Sequence, residues 1–370
     1  MIERSKLDQW YDKKTPLYDL SSSGLSPDKD YKNILTKQLL NVDMFDYLKK
    51  YGATTGDEML VSLLCQKYNC TPTNILITNG ASEALYIALQ AFANQKCDIL
   101  YQCPYYQNLD SLIAEGGNYA LKYNLNSTNN FNFVFDDFEK KITSNTRLVI
   151  LNFPNNPTGS ILEDSDYKRI IDLSLSNDFK IIFDEVSSDI NYHKRTNYIE
   201  NNIAKLFNHV VCINSMSKVY GFAGLRVGWI VADEQFIYQC QIIKEIISVS
   251  SAPFSQLIAT ELLKEHKYIL TKNTTQVKEN LKYLLAKADA FRKIFSVITP
   301  QGGACCLIKV LTDIDVDRLC MDLYNSKGVL VTPGSVFGYD NYIRIGLGEE
   351  NKKFRIAIEL FIDFILNYKK

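Results

Sequence analysis

Six short, nearly continuous apolar runs mark the middle of the chain: NILIT (74–78), DILYQ (98–102), RLVILNF (147–153), KIIFDEV (180–186), VVCIN (210–214) and VGWIVA (227–232). A strand with one face in water alternates apolar and polar positions, whereas a strand covered on both faces reads as an unbroken apolar run. Stretches with helical spacing lie between the runs, from Ser82 to Phe92, Tyr106 to Glu115 and Ser165 to Ser176. This alternation predicts an α/β domain with a mostly parallel sheet flanked by helices. Near residue 234 the pattern changes to long helical segments, Gln235 to Ser248 and Gln256 through about Ala288. A second α/β unit closes the chain: SVITP, CCLIKV, a helix from Val316 to Ser326, GVLVTP, YIRIGLG, and a terminal helix from Glu350. The first stretch, to about residue 30, reads as polar and irregular, and NLNSTNNF (124–131) as a surface loop.

Composition narrows the class. A chain of 370 residues exceeds one simple core and suits two domains, or a large domain with a smaller lobe. With 41 basic and 42 acidic side chains the net charge is −1, which gives no electrostatic reason to expect nucleic acid or an anionic membrane as partner. The opening MIERSKLDQW is charged and lacks the apolar core of a secretory signal. No apolar run approaches the roughly 18 residues of a membrane span. A cytoplasmic location is the expectation. The nine cysteines are odd in number and show no C-x-x-C spacing. The histidines stand apart at 193, 209 and 266. No metal site is expected, and the cysteines read as reduced, mostly buried thiols.

Four segments carry chemistry. In Ser215-Met-Ser-Lys-Val-Tyr-Gly-Phe-Ala-Gly-Leu-Arg226, a strand ends, two hydroxyls and Lys218 follow, and a glycine-containing loop returns an arginine. Hydroxyls with a guanidinium suit a phosphate, and a lysine beside them can form an imine with an aldehyde. Thr78-Asn-Gly-Ala-Ser-Glu-Ala84 follows a strand and opens a helix, whose free backbone N–H groups cradle an anion. Asp184 ends the run KIIFD, at the edge where parallel sheets bind ligands. Asn155-Asn-Pro-Thr-Gly159 also follows a strand and offers an amide donor. Each segment alone has a plain structural explanation as a loop, a capped helix start or a turn.

Together the four resemble the fold type I pyridoxal-5'-phosphate (PLP) enzymes of the class I/II aminotransferase family. The order Tyr51…Gly56, Gly80-Ala-Ser82, Pro104-Tyr-Tyr106, Asn156-Pro-Thr-Gly159, Asp184, Ser215-x-Ser-Lys218, Arg226 and Arg344 matches that family over nearly the whole chain. The resemblance implies a large PLP-binding domain (36–275) and a small α/β domain (276–370), which the N-terminal segment (1–35) joins. By the same resemblance, Lys218 holds PLP as a Schiff base and shuttles the proton between Cα and C4', through quinonoid chemistry. Asp184 pairs with the pyridine nitrogen, Asn156 bonds the ring O3', and Tyr106 stacks on the ring. Ala81, Ser82, Ser215, Ser217 and Arg226 hold the phosphate. Tyr51 reaches the phosphate of a neighbouring subunit, which implies a homodimer. Arg344 and Gly24 bind the substrate, Arg344 through its α-carboxylate. Cis peptides are expected at Cys103-Pro104 and Asn156-Pro157.

One departure stands out. The family usually reads Asp-x-x-Tyr, with the tyrosine hydroxyl bonded to O3'; here the run is Asp184-Glu-Val-Ser187. Serine is shorter, so that bond is missing or relayed by water. Asp19-Leu-Ser-Ser-Ser-Gly24, Gly80-Ala-Ser-Glu-Ala-Leu-Tyr86 and Gly328-Val-Leu-Val-Thr-Pro-Gly334 resemble the capreomycidine synthase-like branch. Transamination of an L-amino acid with a 2-oxo acid is therefore the first expectation. Elimination or replacement at Cβ, with ring closure on a hydroxylated arginine, is the second. A PLP-binding regulator is a third reading. It would carry a fused DNA-binding domain, and only about thirty residues precede the family match.

Overall fold

The structure is a computed structural model and describes residues 4–40, 42–106, 108–192 and 197–368. His193, set aside above as a metal candidate, lies outside the described residues. The strands are β1 (Tyr18–Asp19), β2 (Ile75–Thr78), β3 (Asp98–Cys103), β4 (Tyr119–Asn124), β5 (Thr146–Asn152), β6 (Lys180–Asp184), β7 (Val210–Ser215), β8 (Gly228–Val231), β9 (Phe295–Val297), β10 (Cys305–Val310), β11 (Val329–Leu330), β12 (Thr332–Pro333) and β13 (Tyr342–Gly346).

Among the described residues, seven strands form the large sheet in the order β2-β8-β7-β6-β5-β3-β4. The pairs from β7 through to β4 are parallel, and β8 runs antiparallel to both β7 and β2. The burial pattern explains the unbroken apolar runs. In β5, Val149 and Leu151 face one core while Leu148 and Ile150 face another. Ile181 and Phe183 against Ile182, and Val210 and Cys212 against Val211 and Ile213, repeat this in β6 and β7. Both faces are buried, so the middle positions of these strands are apolar on both sides, and the polar residues fall at the strand ends.

The smaller α/β lobe uses both chain ends. A four-stranded sheet runs β12-β13-β10-β9, and β1 pairs in parallel with β11. The N-terminal stretch is thus more regular than its sequence suggests. A helix spans Lys6–Tyr11, capped by the Ser5 side chain, and Trp10 donates its indole N–H to the Val331 carbonyl at 2.9 Å. The helix expected from Tyr106 starts only at Leu109, with Asn108 as its cap. The long helical stretch 256–288 is two helices, Pro253–Lys264 and His266–Ala290. Cys103-Pro104 and Asn156-Pro157 are cis, and so is Phe153-Pro154. Among the described residues, no helix is long and apolar enough to cross a membrane. Asn152, Asp184 and Ser215, the last residues of β5, β6 and β7, all lie on one edge of the large sheet.

Candidate active site

Lys218 sits three residues beyond β7, in a loop that turns back into β8. Met216 N–H to Val227 O and Phe222 N–H to Met216 O, each 3.0 Å, close the loop. The half-buried lysine places Nζ 3.1 Å from Ser23 Oγ. Burial, and after it the nearby Arg344 charge, lowers its amine to about 8. A lysine in that range is about a tenth neutral at pH 7, several hundredfold more than an ordinary lysine, and the neutral amine is the form that attacks a carbonyl.

Asp184 is buried at the end of β6. Its Oδ2 accepts from the Tyr105 hydroxyl at 2.9 Å and its Oδ1 from the Val186 N–H at 3.3 Å. Burial pushes its carboxyl up to about 6, opposed by these donors. A cation next to it would offset that penalty. Tyr106 stacks on the Tyr105 ring with centroids 4.9 Å apart, and its hydroxyl bonds to the Ser82 side chain. Tyr105 is not among the residues the sequence singles out; its role depends on the partner its hydroxyl reaches.

Asn156 links two groups. Its Nδ2 donates to Ser23 Oγ at 3.2 Å and its Oδ1 accepts from Arg344 Nη1 at 2.7 Å. Arg344, on β13, is 1% exposed. Its Nη2 donates to the Ser21 carbonyl at 2.5 Å, to Thr332 Oγ1 at 3.3 Å and to the Tyr11 hydroxyl. Among the described residues its buried Nε has no hydrogen-bond partner. An unpaired donor on a buried guanidinium is costly, which marks this as a place for an anion. Tyr11 is a second residue the sequence does not reveal, because it lies on a helix more than 300 residues from its partner.

The anion cup forms around Gly80. This residue has φ 88° and precedes the helix Ala81–Gln90, which has no side-chain cap. The first N–H groups of that helix, at Ala81 and Ser82, are therefore open. Arg226 lies against Gly80: a Cβ on the glycine would fall 2.3 Å from Nη2. Its Nη1 contacts Ser217 Oγ at 3.5 Å and the Ala223 carbonyl at 3.1 Å, and Nη2 the Asn79 carbonyl at 3.3 Å. Ser215 Oγ accepts from the Ser217 N–H at 3.3 Å. A cation at the positive end of a helix is unfavourable unless an anion lies between them.

Three other candidates complete the picture. Gly24 packs on the lysine: a Cβ there would lie 3.4 Å from Lys218 Cδ, and its N–H already donates to Ser22 Oγ at 3.1 Å. Ser187 is buried; its carbonyl accepts from the Ile190 N–H at 3.3 Å, and among the described residues its hydroxyl makes no hydrogen bond. Tyr51 is 82% exposed and stands apart from the cluster.

The model of the aminotransferase class I and II family matches residues 19–361. The chain belongs to this family. Its cofactor is pyridoxal 5'-phosphate. Among its relatives is a capreomycidine synthase from Streptomyces vinaceus, 28% identical over 334 residues, covering 89% of this chain and 84% of that protein. An aspartate aminotransferase from Pyrococcus horikoshii is 25% identical over 365 residues, covering 95% and 92%. A solved PLP-dependent aminotransferase from Streptococcus suis superposes with a TM-score of 0.88 at 22% identity, covering 100% of this chain and 99% of that one. The residues fit the cofactor. The uncapped helix start beside Arg226 calls for an anionic phosphate, and buried Asp184 calls for a cation such as a protonated pyridine nitrogen.

Proposed function

We propose that this PLP enzyme of aminotransferase type binds an L-amino acid through Arg344, acts on it at Lys218, and passes the amino group to a 2-oxo acid. The observation that carries this reading is the Nε of buried Arg344, unpaired among the described residues and three hydrogen bonds (through Asn156 and Ser23) away from the Lys218 amine. A carboxylate on Arg344 brings the α-amino group of the same small molecule towards Lys218.

When bound, PLP supplies the electron sink that makes the Cα–H of an amino acid acidic. The chain's own residues do the rest. Asp184 would keep the pyridine nitrogen protonated. Asn156, which aligns Arg344, would donate its amide to the phenolic oxygen. Tyr106 would cover the ring. The N–H groups of Ala81 and Ser82, the hydroxyls of Ser215 and Ser217, and Arg226 would hold the phosphate. Lys218, neutral in part because of burial, takes the Cα proton and returns it. Tyr51 serves the partner chain of a homodimer, which its exposure leaves it free to reach.

A second reading is elimination at Cβ followed by ring closure. Two observations favour it: Ser187 stands in the place of the family's tyrosine and its hydroxyl makes no hydrogen bond among the described residues, and a capreomycidine synthase is among the relatives. Mixing the holoenzyme with the common amino acids and hydroxylated arginines, with product analysis, tests both. Amino-group transfer to a 2-oxo acid supports the first reading. Loss of a β-substituent without transfer replaces it with the second, and no reaction with any α-amino acid overturns both.

A further inference from the structure

Two donors from different parts of the chain meet on one hydroxyl. Lys218 Nζ lies 3.1 Å and Asn156 Nδ2 3.2 Å from Ser23 Oγ. In both contacts the serine oxygen accepts, and among the described residues no acceptor is recorded for its own hydrogen. Ser23 is 6% exposed. Its segment is pinned on both sides. Leu25 N–H donates to the Lys218 carbonyl at 3.3 Å, and Gly346 N–H donates to the Leu20 carbonyl at 2.7 Å. Gly24 leaves no room to withdraw from Lys218, with Ser217 O only 3.1 Å from where a Cβ would be.

Pyridoxal phosphate carries its phenolic oxygen on the ring carbon adjacent to the one that bears the aldehyde. A ring joined to Lys218 Nζ would thus hold that oxygen close to the same nitrogen, and Asn156 Nδ2 is the second donor proposed for it above. Ser23 Oγ is the protein atom at which both donors already converge. Ser187, by contrast, has no hydrogen bond to either among the described residues.

We propose that Ser23 is a positioning residue whose hydroxyl partners the cofactor's phenolic oxygen, the part for which the family uses a tyrosine at the position of Ser187. The inference rests on the assignment of Lys218 and Asn156 above. A hydroxyl that donates to an anionic oxygen stabilises the anion, and its loss makes the neighbouring proton harder to remove. The serine therefore sets the pH at which the bound cofactor changes its visible absorbance.

The test is a pH titration of that absorbance in native, Ser23→Ala and Ser187→Ala holoenzymes, with borohydride fixation and peptide mapping on each. Ser23→Ala deletes one oxygen and leaves the packing intact. Its midpoint is expected to rise by about one pH unit, a tenfold change in proton affinity, while Ser187→Ala stays with the native protein. An unmoved midpoint in Ser23→Ala, with the cofactor fixed on Lys218, overturns the role of Ser23 and leaves the site assignment standing. A shift in Ser187→Ala in place of Ser23→Ala also overturns it. Fixation on a different lysine removes the underlying assignment instead.

Discussion

Burial raises the Asp184 carboxyl from 3.8 to about 6, despite the hydrogen bonds from Tyr105 and Val186. Between those two values the folded protein holds a proton that the unfolded chain has released. Stability from this group is thus present at low pH and is lost as pH rises through about 6, by about 3 kcal/mol in the cofactor-free protein. A protonated pyridine nitrogen beside the carboxylate restores it. Asp184→Asn should therefore raise the unfolding temperature of the cofactor-free protein near neutral pH while weakening cofactor retention. Thermal unfolding with and without PLP checks both, and a less stable apoprotein that still holds PLP tightly contradicts the assignment. Arg344 permits a second expectation. Its charge helps hold the Lys218 amine down, so Arg344→Leu should move that amine back up towards the usual lysine range. Removing charge-assisted bonds to a carboxylate should also raise KM by roughly 10- to 100-fold. The pH dependence of Lys218 modification in the apoprotein, together with steady-state kinetics, reads the two effects. Lys218, Asp184, Asn156 and Arg344 are legible as candidates in the sequence because their types and spacing match the family's motifs. Tyr105, Tyr11 and Ser23 are not, because each matters only through the atom it touches across the fold.

The proposed phosphate cup is a property of elements more than of single side chains. It needs β2 to end at Thr78, Gly80 to take a positive φ, and the helix Ala81–Gln90 to start uncapped beside Arg226. Gly80→Ala strains the backbone and drives a methyl into the guanidinium. The expected result is a loss of PLP affinity by roughly 10-fold or more, with folded-state stability lowered by about 1–2 kcal/mol. Equilibrium dialysis and denaturant unfolding measure these separately, and unchanged affinity counts against the cup. The buried strands β5, β6 and β7 are visible in the sequence as apolar runs because both faces are covered. β4, an edge strand paired with β3 only, is half-exposed and leaves no such signature. The helix Lys6–Tyr11 escapes notice for another reason: Trp10 bonds to Val331 and Tyr11 to Arg344, contacts that local sequence does not encode.

At the scale of the whole molecule, large apolar side chains are exposed around Tyr51: Met44, Phe45, Leu48 and Met59. On the helix Glu234–Ile247, Tyr238, Ile242 and Ile246 are exposed as well. Apolar surface on this scale is typical of an interface between chains. Light scattering should give twice the chain mass, and Tyr51→Phe should loosen PLP without changing that mass. A monomer that retains PLP normally contradicts the two-chain site. The smaller lobe, built from β1 and the strands after β8, shows in the residue pattern as a second α/β unit at the C-terminal end, and its N-terminal contribution is expected only through the family resemblance, because β1 has two residues and is too short to register.

The most direct test of the assignment as a whole is borohydride fixation of the PLP-loaded protein followed by mapping of the labelled peptide. The label is expected on Lys218, between Ser215 and Arg226, and should vanish in Lys218→Ala while the phosphate cup still binds PLP. A label on any other lysine, or fixation that persists in Lys218→Ala, contradicts it.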